Sequence, residues 1–301
     1  MRGLKIGHFS NHEQGTGVSV FLFEGQATGA YWICGSAPAT HEIAALDAAS
    51  SAPHCHALVL AGGSAYGLHA AAGAMRYLGE RGIGHPVPTG VVPIVPAAAI
   101  YDMAYRDAHI PSADNTYDAC VAASEENTAR GRIGAGAGAT VGKLIPDAHC
   151  MTGGLGRAVL TQTDGLEVIA YVVVNSVGDI RDQQTIVAGA RDQQQQFADC
   201  EKFLLAGHDE IELFSATNTT LAVIVTNASL DKGAGTRIAK MASAGLARVI
   251  SPVFTRFDGD IVFCMSVGDA QASELTVGVM AAEALRLAVL DAVRESEIVN
   301  G

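Results

Sequence analysis

The stretch SATNTTLAVIVTNA, Ser215 to Ala228, places two threonines at the start of an apolar run. A threonine hydroxyl becomes a good nucleophile when a base takes its proton, and a free α-amine on the same residue can be that base because its pKa lies near neutral. Thr219 has such an amine only after the Asn218–Thr219 bond is cut. The hydroxyl can cut this bond by attacking the Asn218 carbonyl to form an ester, which water then hydrolyses. The alternatives are a threonine that merely opens a strand and an N-glycosylation acceptor.

A second candidate for chemistry is a pair of carboxylates in the stretch RFDGDIVF. Asp258 and Asp260 flank Gly259 just before an apolar run. In extended backbone, residues i and i+2 point to the same side, so both carboxylates would face one site. Two close carboxylates repel each other, which favours a neighbouring cation such as an α-ammonium group or Lys143. The alternative is an ordinary turn, in which Asp and Gly are common.

Two glycine-rich motifs resemble known sites without meeting their requirements. In GAGAGATVGKL, a phosphate-binding loop would need glycine where Ala137 stands and serine or threonine where Leu144 stands. In LAGGSAYGL, a nucleophile elbow would need glycine where Tyr66 stands. Ser64 is therefore predicted to cap a helix rather than to act as a nucleophile.

The composition is that of an acidic globular protein. Hydrophobic residues make up 49% and charged residues 17% of the 301 residues, which is enough to bury a sizeable core. The formal net charge of −12, without a basic cluster, argues against nucleic acid and anionic membrane surfaces as partners. No signal-like apolar segment opens the sequence and no run reaches the length of a membrane span, so we expect a cytoplasmic protein. Glycosylation of Asn218 or Asn227 does not fit that compartment.

Cysteine and histidine side chains give no metal-binding pattern. The six cysteines are scattered without a CxxC pair, and in a reducing compartment they are expected to be free thiols. His54 and His56 stand alone, with no second cluster at metal-ligand spacing, so structural or surface roles are expected for them.

The segments that must position these residues alternate between strand-like and helix-like patterns, which predicts an α/β or α+β fold. Polar composition over 182–217 predicts a surface excursion or linker, with a short helix as an open alternative, that leads directly to Asn218. The other predicted elements are strands at 18–24, 57–61 and 261–267, a hairpin at 158–174 turning at Asp164-Gly165, an extended run at 91–103, and helices at 64–80, 229–250 (capped by Ser229) and 270–294.

Taken together, the motifs resemble the DmpA-type family of N-terminal-nucleophile amidohydrolases. That family includes L-aminopeptidase/D-Ala-esterase/amidases, β-aminopeptidases and the 6-aminohexanoate-oligomer endohydrolase, or nylon hydrolase. The nylon hydrolase branch matches best because it also cleaves before a threonine in Asn-Thr-Thr. This chain departs from that branch in its shorter N-terminal part and in the polar stretch before Asn218. These differences leave substrate preference and assembly open. The similarity covers nearly the whole chain through GVSVFLFEGQATGA, LAGGSAYGLHAAAG, PAAAIYDM, GAGAGATVGKL, VVVNSVGDI, NTTLAVIVTN and DGDIVF.

The resemblance implies roles for the residues already singled out. Thr219 matches the self-liberated nucleophile, and Asn218 matches the residue left at the end of the larger chain. Asp258 and Asp260 match the acidic pair that orients the nucleophile and its amine.

The resemblance also adds three polar residues. Lys143 in TVGKL matches a lysine beside the nucleophile, Asn175 in VVVNSVG an asparagine near the reacting carbonyl, and Tyr101 in AIYDM an active-site tyrosine. A side-chain amide suits an oxyanion, a lysine can keep a nearby amine deprotonated, and a phenol can donate or accept a proton. The alternatives are structural: a lysine paired with a surface acid, an asparagine in a turn and a tyrosine in the core.

The fold implied by the resemblance is a four-layer αββα sandwich of the DmpA/ornithine-acetyltransferase-like type. A single domain, 1–301, would be cut into a larger chain, 1–218, and a smaller chain, 219–301, that stay associated. The implied reaction is removal of an N-terminal residue from small peptides or amides, nylon-oligomer-like amides among them, through an acyl-Thr219 ester. No metal or organic cofactor is implied, and a homo-oligomer of four or more protomers is expected. The alternatives are a threonine acyl transferase of the ornithine acetyltransferase type and a processing-dead homologue that binds a small amide.

Overall fold

The computed structural model of the chain describes residues 1–107, 109–208 and 218–299, with the backbone alone for Gln26. The strands are β1 Leu4–Asn11, β2 Thr16–Ile33, β3 Thr40–His41, β4 Cys55–Ala61, β5 His85–Val87, β6 Gly90–Val92, β7 Ala97–Ala99, β8 Thr140–Val141, β9 Met151–Thr152, β10 Gly154–Thr161, β11 Glu167–Asn175, β12 Asp179–Asp182, β13 Thr185–Ala188, β14 Thr219–Ala228, β15 Ile250–Ser251 and β16 Ile261–Ala270. The α-helices are α1 Ser64–Gly67, α2 Ala71–Gly79, α3 Ala113–Val121, α4 Cys200–Leu205, α5 Lys232–Ala247 and α6 Glu274–Ala292.

Strand β2 belongs to two sheets and joins them. Its first part pairs with β1 and β4, and its last part, from Thr28 to Ile33, pairs with β16. The pairing with β4 shifts register between Leu22 and Ala27, around Gly25 with a φ of +88°. A bulge of this kind bends and twists a strand, and so lets β2 leave one sheet and enter the other. The first sheet has the order β1–β2–β4–β7–β3 and the second β10–β11–β14–β16–β2.

Both sheets bury both of their faces, which produces four layers. The inner faces pack on each other through side chains such as Leu60 of β4 and Val223 of β14. The outer face of the first sheet packs on α2 and α3, with Val59 in that core. The outer face of the second sheet packs on α5 and α6, with Ile224 in that core. Successive strand residues point to opposite faces, and here both faces are buried. The apolar runs of β4 and β14 are therefore continuous rather than alternating. The prediction of an α/β fold in an αββα arrangement is confirmed.

Two predicted N-caps are wrong. Ser64 is the first residue of α1, with a φ of +55°, and its N–H donates to the Ile100 carbonyl at 2.9 Å. The strand-to-helix turn is thus held by the neighbouring segment rather than by a serine cap. Ser229 still pairs with β16 through the Ala270 carbonyl at 2.8 Å, so α5 starts later, with Asp231 as its cap.

Two predicted helices also need correction, one in its continuity and one in its starting residue. The helix expected at 64–80 is divided into α1, a 3-10 turn and α2. Gly67, the last residue of α1, packs directly on the Gly62 carbonyl, where a Cβ would lie 1.8 Å from the oxygen. The helix expected at 270–294 begins only at Glu274, since β16 continues to Ala270. The strands lie where they were predicted, although β2 continues to Ile33 and β16 to Ala270, and the hairpin between β10 and β11 and the extended run that holds β6 and β7 agree with prediction.

The polar excursion is anchored to the body of the protein. Buried Asp179 accepts hydrogen bonds from the N–H groups of Ala190, at 2.8 Å, and Cys200, at 2.7 Å. Asp199 caps α4 and forms an ion pair with Arg181. The part of the excursion over 182–208 therefore lies on the surface, attached at these points and carrying the short helix α4, and residues 209–217 lie outside the described residues.

The described ranges of residues also bear on the predictions about membrane spans, metal sites, cysteines and histidines. No helix there is long and apolar enough to cross a membrane. In those ranges, too, no group of three or more His, Cys, Asp or Glu side chains is placed to hold a metal ion. The six cysteines are free thiols, and Cys55, Cys120, Cys200 and Cys264 are buried. His56 is buried as well, and its Nδ1 accepts the Ile94 N–H at 3.1 Å.

Candidate active site

Strand pairing at the start of β14 collects the predicted site. The antiparallel pairing with β11 places Asn175 opposite Thr219. On the other side, Asn218 forms an isolated parallel bridge with Asp258, just before β14 and β16 pair in parallel. Thr219 is only 4% exposed, so the reacting groups lie inside the protein. Residues that are far apart in sequence therefore meet because of backbone hydrogen bonding.

The carbonyl of Asn218 receives two hydrogen bonds that bear directly on the predicted cleavage. The Thr219 Oγ1 hydroxyl donates to this carbonyl oxygen in a very short contact. The N–H of Gly259 donates to the same oxygen at 2.9 Å. The hydroxyl thus lies against the group that it would attack, and an N–H already points to the oxygen that would become negative. Proximity and a preorganised donor are the two features that an acyl-transfer site needs.

The two predicted carboxylates are held by a turn just before β16. Asp258 Oδ2 accepts the Thr255 N–H at 2.9 Å and the Thr255 hydroxyl at 2.6 Å. Asp260 Oδ1 accepts the Thr220 N–H at 2.5 Å, and its Oδ2 accepts the Phe254 N–H at 3.3 Å. Both aspartates are 1% exposed. Their positions are therefore fixed in the uncut chain.

Burial raises the pKa of both Asp258 and Asp260, and repulsion by the Asp258 charge raises the pKa of Asp260 further. Hydrogen bonds from Thr255 oppose the shift at Asp258, and the Thr220 N–H opposes it at Asp260. The pair consequently keeps a proton at a pH where isolated carboxyls have lost theirs. A new ammonium group at Thr219 would supply a positive charge beside this pair and favour its ionised form.

We predict that the uncut protein, studied as Thr219→Ala, loses stability as the pH rises from about 4 towards the folded-state pKa of Asp260. Below the unfolded pKa both states are protonated. Above it the unfolded carboxyl ionises while the folded carboxyl keeps its proton, so folding becomes costlier by about 1.4 kcal/mol per unit of pKa shift. Urea unfolding between pH 4 and 9 measures this slope, and adding Asp260→Asn should flatten it. Asp269→Asn, at an exposed carboxylate, is the control; equal slopes in both double variants would contradict the prediction.

A second group of predicted residues surrounds the amide of Asn175. Lys143 Nζ donates to Asn175 Oδ1 at 2.7 Å and to the Asn175 carbonyl at 3.3 Å. The Thr140 N–H donates to the same Oδ1 at 3.0 Å, and Asn175 Nδ2 donates to the Tyr101 carbonyl at 3.0 Å. Burial lowers the pKa of Lys143 to about 8, and nearby acidic groups, Cys150 and Asp258 first among them, limit the shift. Lys143 can therefore release or take up a proton close to neutral pH.

The loop that carries Lys143 is rich in glycine because it packs closely, as at Gly142. This residue has a φ of +76°, and a Cβ there would lie 2.0 Å from the Ala190 nitrogen.

All six predicted site residues fall into two groups joined by the Asn175–Thr219 pairing. One group is Thr219, Asp258 and Asp260, and the other is Asn175, Lys143 and Tyr101. Tyr101 takes part through its backbone carbonyl, and the role predicted for its hydroxyl stays a prediction.

Sequence reasoning missed Thr255 and the donating N–H of Gly259. The only signal for Gly259 was its place in the DGD motif.

The architecture is that of the Ntn hydrolases. A solved structure of the L-aminopeptidase D-Ala-esterase/amidase from Ochrobactrum anthropi, described as a prototype for the serine aminopeptidases and a new variant of the Ntn hydrolase fold, has a TM-score of 0.73 to this chain. The match covers 98% of this chain and 84% of that one at 16% identity, so it shows the fold alone. The model of peptidase family S58 matches residues 1–301, and the chain belongs to that family.

Two curated relatives indicate what members of the family do. An uncharacterized aminopeptidase of Mycobacterium leprae is 37% identical over 99% of this chain and 90% of its own length. A 6-aminohexanoate-oligomer endohydrolase of Paenarthrobacter ureafaciens is 31% identical over 79% of this chain and 71% of its own length. The protein is accordingly a hydrolase of peptide or amide bonds.

Proposed function

We propose that the protein is a self-processing N-terminal threonine amidohydrolase. It cuts its own Asn218–Thr219 bond and then uses Thr219 to hydrolyse small peptides or amides. The observation that carries this proposal is the Asn218 carbonyl, which is contacted by the Thr219 hydroxyl on one side and by the Gly259 N–H on the other.

The self-cleavage step follows from these contacts. Thr219 Oγ1 attacks the Asn218 carbonyl carbon, its proton passes, directly or through solvent water, to the Thr219 nitrogen that is about to leave, and the Gly259 N–H stabilises the negative oxygen. The carbon–nitrogen bond then breaks, the nitrogen leaves as an amine that carries the former hydroxyl proton, and Asn218 is left as an ester on Oγ1. Water hydrolyses the ester, which frees the hydroxyl and leaves a carboxylate on Asn218 and an amine on Thr219. No metal or organic cofactor is required.

Turnover of a substrate repeats the same chemistry between molecules. The free amine of Thr219 takes the hydroxyl proton while Oγ1 attacks the substrate carbonyl, and the proton passes to the leaving amine. The carboxylates of Asp258 and Asp260 orient the amine. Lys143 and Asn175 lie across the strand pair, where a cation and a side-chain amide suit the developing negative charge. Water then hydrolyses the acyl-Thr219 ester.

The two products of self-cleavage would stay together. The smaller chain, 219–301, supplies β14, β16, α5 and α6. Its β14 pairs with β11 of the larger chain from Thr219–Asn175 to Thr226–Val168, and its β16 pairs with β2. Separating the chains would open both pairings and expose the core beneath them, so the two chains stay associated after the cut.

We propose substrates from the activities named for the two relatives, an aminopeptidase and a 6-aminohexanoate-oligomer endohydrolase. The substrates of both enzyme types contain an amide bond in a short chain that carries an amine. A suitable panel contains L-, D- and β-aminoacyl p-nitroanilides and the linear 6-aminohexanoate trimer.

Intact mass and a hydrolysis assay test the proposal together. Purified wild type should give two fragments, 1–218 and 219–301, with threonine at the start of the smaller one, and it should release p-nitroaniline or 6-aminohexanoate without additives. A protein that stays whole and hydrolyses no member of the panel would refute the proposal. A cut protein that turns over only with an added amine acceptor would point to acyl transfer instead.

A further inference from the structure

Asp102 is a buried carboxylate beside the site that the proposed reaction does not use. It directly follows Tyr101 and is 4% exposed. Its Oδ1 accepts the Gly63 N–H at 2.7 Å, and its Oδ2 accepts the Thr16 hydroxyl at 2.7 Å. A buried carboxylate with two directed donors holds its backbone in one place, because moving it would leave a buried polar group without partners.

The two glycine-rich motifs meet at this carboxylate. A Cβ at Gly62, in LAGGSAYGL, would lie 2.0 Å from Asp102 Oδ2. A Cβ at Gly138, in GAGAGATVGKL, would lie 3.0 Å from Asp102 Cβ and 1.7 Å from the Gly15 carbonyl oxygen. These glycines form neither a phosphate loop nor a nucleophile elbow. They leave the room in which the Asp102 side chain fits.

The backbone between Asp102 and Tyr101, followed by two hydrogen bonds, connects this cluster to the active site. The Tyr101 carbonyl, one residue before Asp102, accepts Asn175 Nδ2 at 3.0 Å. On the other side of the same amide, Oδ1 accepts Lys143 Nζ at 2.7 Å. An asparagine amide can sit in either of two orientations. The Tyr101 acceptor, together with the Thr140 N–H that donates to Oδ1 at 3.0 Å, favours the one that turns the oxygen, rather than the NH₂, towards the ammonium group.

We propose that Asp102 is a positioning residue that fixes the Tyr101 carbonyl and thereby orients the Asn175 amide against Lys143. This inference rests on the proposed roles of Asn175 and Lys143 in turnover. Burial raises the pKa of Asp102 to about 6, so at neutral pH the side chain is mainly ionised and accepts from both donors.

The test compares steady-state kinetics of processed variants on the best substrate of the panel. Asp102→Asn keeps the shape of the side chain but offers one acceptor fewer, and kcat should fall about 10-fold while KM changes by less than about 2-fold. Thr16→Val removes the hydroxyl donor and should lower kcat by about 3-fold, whereas Thr16→Ser keeps the hydroxyl and should restore it. Asp291→Asn, at a mostly buried carboxylate that accepts the Arg157 N–H at 3.1 Å, controls for loss of a buried acid.

The outcomes separate this inference from the proposed function. A wild type that is cut and active, with Asp102→Asn and Thr16→Val both at wild-type kcat, would overturn the inference alone. Equal loss in Thr16→Val and Thr16→Ser, or a kcat loss in Asp291→Asn as large as that in Asp102→Asn, would also overturn it. If Asp102→Asn does not fold, the two Thr16 variants test the inference: a lower kcat in Thr16→Val that Thr16→Ser restores supports it, and equal kcat values in the two variants overturn it. A wild type that is neither cut nor active would refute the proposed function itself.

Discussion

Replacing Thr219 by alanine is expected to leave a single uncut chain that hydrolyses none of the substrate panel. The hydroxyl that lies on the Asn218 carbonyl is lost, so the ester cannot form and the catalytic amine is never released. The uncut chain lacks both nucleophile and base, and removing a nucleophile alone typically lowers turnover by roughly 10⁶-fold. Intact mass and p-nitroaniline release measure the two losses on the same preparation.

Thr219→Ser provides the matched control, because it keeps a hydroxyl at the same position and removes only a methyl group. This variant should still give two fragments and measurable turnover. The position is buried, so the methyl loss costs some packing but no chemistry. Cleavage at the same bond in Thr219→Ala would show that another group attacks Asn218, and the threonine mechanism would have to be abandoned.

Strands that are buried on both faces were predictable because their apolar runs are continuous. The apolar runs of β4, β14 and β16 can be recognised in the sequence, and Asp164-Gly165 indicates the turn of the β10–β11 hairpin. The continuation of β2 to Ile33 was not predictable, since polar residues interrupt its pattern at the bulge near Gly25. The order of strands depends on contacts between distant segments, so the four layers followed only from the family resemblance.

The site residues also divide into those that the sequence alone could predict and those that it could not. Thr219, Asp258 and Asp260 could be proposed from their own chemistry, whereas Asn175 and Lys143 look like ordinary strand-end and loop residues without the resemblance. What the sequence cannot display is a backbone donor, and the Gly259 N–H therefore appeared only in the structure. The same limit explains the error at Ser229, which hydrogen bonds to β16 and leaves the helix cap to Asp231.

Gly259→Ala is expected to slow self-cleavage by about 100-fold or more, the usual cost of losing one oxyanion donor. A Cβ at this position would lie 2.7 Å from Thr219 Oγ1 and 2.7 Å from the Ala37 carbonyl oxygen. The Ala37 backbone cannot retreat freely, because its own N–H donates to the Asp258 carbonyl at 2.9 Å. The clash must therefore be relieved by moving either the Gly259 N–H or the Thr219 hydroxyl away from the Asn218 carbonyl.

The rate of self-cleavage can be followed by intact mass at timed intervals after synthesis in a cell-free system. Gly233→Ala is the control, because among the described residues a Cβ there meets only the side-chain ends of Asp231, at 3.3 Å, and Arg237, at 3.5 Å. That change lies in α5, where alanine is favoured over glycine by up to about 1 kcal/mol, so the control should fold at least as well and cut at the wild-type rate. If Gly259→Ala cuts as fast as Gly233→Ala, the Gly259 N–H does not carry the oxyanion, and Asn175 becomes the donor to test next.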